Sequence, residues 1–131
     1  MSSYTLSATV ALPYDEAVVA TRAALAGQGF GVLTPIDLAA TLKTKLDVDV
    51  PRQVILGACR PPLAYAALQI DSSVAAMLPC NVVVRSLDAE SCLVEAFDPA
   101  VMTQLVPGLE QVAAEAERRL TAALAALAEE H

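Results

Sequence analysis

The chain has 131 residues and a formal net charge of −7 at pH 7, enough for one domain that buries roughly two-thirds of its unfolded surface. The acidic balance, with only eight Lys and Arg residues scattered along the chain, excludes the basic footprint that nucleic acid or an anionic membrane surface would need. The mean hydropathy of +0.53 owes much to alanine, about a fifth of the residues, and no apolar run approaches the ~20 residues of a membrane span.

The opening "SYTLSATVAL" alternates, with Leu6, Ala8 and Val10 on one side and Thr5, Ser7 and Thr9 on the other, which predicts a half-buried strand. The start carries no charged n-region and no apolar h-region, so no export signal is expected and the protein reads as cytoplasmic. Pro13 opens a helix with Asp15 and Glu16 in its first turn, where acid complements the helix dipole. The helix runs to "AGQGFG". "FGVLTPI" reads as a second strand closed by Pro35. Asp37 is then the N-cap of "LAATLKTKL", whose Leu38, Leu42 and Leu46 line one helical face.

"RQVILGACR" is the third strand. Pro61 and Pro62 pre-set the first turn of the helix "PPLAYAALQ", because proline is tolerated where amides lack helical partners. "DSSVAAMLP" is a short helical or irregular link. "CNVVVRSL" and "SCLVEAF" form a hairpin across "DAE". Asp98 and Pro99 turn the chain back into helix, with Leu109, Val112, Ala116, Leu120, Leu124 (or Ala123) and Leu127 on one stripe. The order predicts a single α+β domain over residues 1–131: a two-layer structure with about five mostly antiparallel strands and helices on one face.

At "GFGVLTPIDLAATLKTKLDV", "ILGACRPPLAYAAL", "LPCNVVVRSL" and "AFDP", the chain resembles domain-of-unknown-function family 302. The resemblance spans roughly residues 4 to 105 in one order, and its recurrent positions match Gly29, Phe30, Asp37, Lys45, Gly57, Cys59, Pro61, Pro79, Cys80, Asn81 and Pro99, among others. It implies a strand-helix-four-strand-helix core similar to the TATA-binding-protein-like fold, with helical excursions between strands, and dimeric assembly. It implies no activity. Pro62 and Pro35 depart from the family pattern, and Cys92 lies outside it.

Three cysteines without an export signal do not make a disulfide framework. Cys59 ends the third strand just before a helix, and Cys80 begins the fourth, so both are expected near one rim of the sheet. A thiol beside Arg60 at a helix N-terminus should ionise more easily, although the two prolines leave only the amides of Leu63 and Ala64 to support it. The plain alternative is that each cysteine is a small hydrophobe in the core, and Cys92 is read that way. Zinc fits poorly, since a structural site takes four N/S ligands and the one histidine is terminal His131. Two thiolates suit a soft monovalent ion such as Cu(I).

Asp37 and Lys45 stand two helical turns apart and are polar candidates for a small ligand; Asn81 and Tyr65 could orient or close a site. There is no histidine for a triad, and "GQGFG" ends a helix instead of opening one, so it is no phosphate loop. Three readings stay open. The first is a small-ligand or soft-metal binding module using Cys59 and Cys80, with Lys45, Asp37, Asn81 and Tyr65 as contributors. The second is a thiol-dependent redox enzyme or sulfur carrier on the same cysteines. The third is a structural homodimer, which the apolar surplus also favours. No cofactor is identifiable.

Overall fold

The computed structural model describes residues 3–131; residues 1–2, part of the chain start on which the absence of an export signal was expected, lie outside them. Among the described residues, five strands and four α-helices follow in the order β1 (Thr5–Val10), α1 (Tyr14–Gly27), β2 (Gly31–Asp37), α2 (Leu38–Leu46), β3 (Gln53–Cys59), α3 (Pro61–Ile70), β4 (Cys80–Asp88), β5 (Ser91–Phe97) and α4 (Glu110–Glu130). Two 3-10 segments, Ser72–Met77 and Pro99–Gln104, precede β4 and α4. The sheet is fully antiparallel in the order β1-β5-β4-β3-β2. The α+β architecture expected from the sequence is therefore the one observed.

Strand alternation sorts the sheet into two faces. Val10, Val54, Leu56, Ala58, Val82, Val84, Cys92, Val94 and Ala96 are buried on one of them. α1 crosses β4 and β5 on that face beside α4, which lies along β1. α1 buries Ala17, Thr21 and Leu25, one residue per turn; the Thr21 hydroxyl donates to the Ala17 carbonyl at 2.7 Å, so the polar atom is satisfied inside the core. α4 buries Ala113, Ala116, Leu120, Ala123, Leu124 and Leu127, the expected stripe. A second, smaller core gathers Ala67 of α3, Val74, Met102, Val106 and Leu109 at one end of the sheet.

Two expectations fail. Pro35 does not close its strand, which continues through it to Asp37. β2 is an edge strand paired only with β3, and a residue without an N–H is tolerated where no further strand asks for one. The leucine face of α2 is not buried: no residue of this helix is, and Leu46 is 65% exposed. α2 lies beside the end of the sheet, anchored by its cap, with the Asp37 carboxylate accepting from the Ala40 amide at 2.9 Å.

The opposite face of the sheet carries no helix of the main core. Ile36, Ile55 and Val83 face each other in register across β2, β3 and β4. Beside them Arg85 pairs with Glu95 at 3.2 Å, and the Thr5 hydroxyl donates to the same carboxylate at 2.9 Å.

Candidate functional site

A cavity of about 50 Å³ lies at the seam between the two cores, lined by residues from β3, α3, the segment entering β4, the second 3-10 segment and α4. Its walls include Phe30, Ala58, Leu63, Ala67, Leu78, Pro79, Met102, Leu109 and Ala113. Cys59 and Cys80 both line it, and both are reduced and partly buried.

The backbone explains how they meet. Register pairs Cys80 with Ala58, so Cys80 belongs to the helix-covered face with Val82, while Cys59 pairs with Gly31 across the outer strand. Pure alternation would send the two side chains to opposite faces. They nevertheless line one cavity because both stand at the same end of the sheet, where β3 stops at Cys59 and β4 begins at Cys80. The cis Leu78–Pro79 peptide leads into Cys80.

Burial pushes the Cys80 thiol above its ordinary value, and the nearby charge of Cys59 adds to that shift. The amides at the α3 N-terminus are already engaged. The Leu63 and Ala64 amides both donate to the Arg60 carbonyl, at 3.0 and 3.1 Å. The Arg60 side chain is itself engaged: Nε donates to the Gln28 carbonyl at 3.2 Å. "GQGFG" accordingly has a structural role. Gly29 adopts φ +83°, and a Cβ there would stand 2.9 Å from Arg60 Nε, so glycine admits both the turn and the close approach of the arginine.

The other sequence candidates stand outside the cavity. Asp37 caps α2, and Lys45 is exposed on the same helix. Asn81 is exposed opposite Gly57. Tyr65 is 66% exposed, on the side of α3 turned from Leu63, Ala64 and Ala67. Cys92 is fully buried, donates weakly to the Leu12 carbonyl at 3.5 Å, and pairs with Ser86 at the far end of β4; it is core. Sequence reasoning missed Met102, a lone methionine in a short segment with no periodicity to mark it.

No group of three or more His, Cys, Asp or Glu residues is placed to hold a metal among the described residues, and no helix among them is long and apolar enough to cross a membrane. No curated protein matches the chain. A crystal structure of an uncharacterised conserved DUF302 protein from Bacillus stearothermophilus is similar over 96% of this chain and 99% of that one, with 26% identity and a TM-score of 0.87. The family model described as domain of unknown function DUF302 matches residues 6–127. With nearly the whole chain covered, and the same sheet and helices in place, the protein belongs to the DUF302 family.

Proposed function

We propose that this domain binds a small soft ligand, best a monovalent soft metal ion such as Cu(I), between Cys59 and Cys80. The observation that carries this reading is the pair of reduced thiols lining one mainly apolar cavity. Its volume of about 50 Å³ lies well below the roughly 300–1,000 Å³ of pockets for organic ligands, so an ion fits where a nucleotide would not. Two thiolates and one Cu(I) carry a net single negative charge, which Arg60 at the cavity wall offsets. Zinc would ask for two more N/S ligands. Burial raises the Cys80 thiol above its ordinary value, which favours a ligand that displaces its proton on binding over Cys80 as a ready thiolate nucleophile.

Titration of the reduced protein with Cu(I) against a chromophoric chelator tests this. One equivalent should bind, and Cys59→Ser/Cys80→Ser should abolish uptake while leaving the fold intact. Each thiol gives up a proton to solvent on binding, so affinity should climb with pH. The climb should continue above the ordinary thiol range, because Cys80 releases its proton late. Undiminished uptake by the double serine variant would end the proposal.

A second reading concerns assembly. The row Ile36, Ile55 and Val83 on the open sheet face, with Ile36 at 48% exposure, supports a homodimer in which two copies cover this face for each other. Sedimentation at micromolar concentration should give a dimer, and Ile55→Glu a monomer, since it places a charge in the middle of the row. A wild-type monomer at every concentration would sink this assignment.

A further inference from the structure

Met102 is the third sulfur-bearing side chain on the cavity wall, beside Cys59 and Cys80. The plain account is that methionine fills an irregular gap in the smaller core, where Met102 lies with Val74, Val106 and Leu109. Two features go beyond gap-filling. The segment that carries Met102 is held firmly: the Asp98 carboxylate accepts from the Ala100 amide at 2.9 Å, and the Thr103 hydroxyl donates to the Ala100 carbonyl at 2.7 Å. Met102 also lines the same small space as both thiols, in a cavity whose remaining walls are almost wholly hydrocarbon.

We propose that Met102 supplies a neutral thioether to an ion held by Cys59 and Cys80, making a three-sulfur site selective for Cu(I). This deepens the binding reading above and rests on it. Thioether and thiolate donors together select Cu(I) over harder ions. A thioether adds coordination without adding charge, which matters in an apolar cavity where each unpaired charge is costly. No redox step is involved: metal–sulfur bonds form, the two thiols release their protons to solvent, and Met102 releases none.

The test compares wild type, Met102→Leu and Cys59→Ser/Cys80→Ser in competition with a Cu(I) chelator, with thermal unfolding as the fold control. Residues outside the ligand shell of a metal already contribute about 10–100-fold in affinity, so losing a direct donor should weaken Cu(I) binding at least about tenfold. Met102→Leu should still take up one ion with unchanged proton release but weaker affinity, whereas the serine variant should take up none; Met102→Leu melting at the wild-type temperature then excludes a purely structural loss. A second measurement does not depend on the Met102→Leu variant folding. Selenomethionine-labelled Met77→Leu protein loaded with Cu(I) should show copper–selenium scattering in its X-ray absorption. Unaltered affinity in Met102→Leu, or loaded labelled protein without that scattering, overturns the role of Met102 while the cysteine site stands. Full Cu(I) uptake by the serine variant overturns the underlying reading instead.

Discussion

Leu56→Ala should lower stability by about 3–5 kcal/mol, the range for leucine truncations that leave a residual cavity. Leu56 is fully buried in β3, in register with Pro35 on β2 and Val82 on β4. Its methyl groups meet the helix layer from the middle of the sheet, so the void cannot be filled by a side chain swinging in from solvent. Against the roughly 5–15 kcal/mol that holds a domain of this kind folded, such a loss is a large fraction of the whole. A urea titration reads it as a lowered midpoint with the slope unchanged. Leu46→Ala is the contrast: at 65% exposure it should stay within about 0.5 kcal/mol. A loss near 1 kcal/mol at Leu56, or a large loss at Leu46, would contradict the burial described above.

That contrast also marks where the sequence is legible. Leu6, Ala8 and Val10 announce β1 because one face of that strand is buried and the other wet, so alternation survives in the residues. The α4 stripe is readable for the same reason at helical period. In α2 the leucine spacing is just as regular, yet Leu38 and Leu42 are only half-buried and Leu46 is exposed; periodicity states which residues share a face and not how fully a partner covers it. Asp37 was recognisable because capping is local chemistry. The convergence of Cys59 and Cys80 was inferable from their places at strand ends, but the register pairing Ala58 with Cys80 was not. Met102 reaches the cavity because its 3-10 segment packs against α4, a long-range event that leaves no pattern in neighbouring residues. Lys45 and Tyr65 show the converse: polar or aromatic character suggested a site, and their helices turn them to solvent.

Gly57→Ala should destabilise, by about 1–3 kcal/mol, the usual cost of overpacking a filled interior. The ordinary expectation runs the other way. Replacing a strand glycine whose backbone angles alanine can share stabilises by about 0.4–1 kcal/mol, through the entropy of the unfolded chain, and Gly57 does not occupy the left-handed region. Space decides the sign. A Cβ at this position would lie 2.6 Å from Thr34 Oγ1 and 2.9 Å from Pro79 Cγ. The threonine hydroxyl can rotate away; the proline ring is rigid and can retreat only by moving its backbone. Thr34→Ala in the Gly57→Ala background should therefore recover only part of the loss, and the remainder belongs to Pro79. Because Pro79 leads directly into Cys80, the same methyl group should displace a cavity wall, so Cu(I) affinity falls together with stability in Gly57→Ala. In Leu56→Ala, at a residue that does not line the cavity, stability falls and affinity does not. A stability gain in Gly57→Ala would mean that Pro79 yields freely, and the segment ahead of Cys80 would then be too loose to hold that thiol against Cys59.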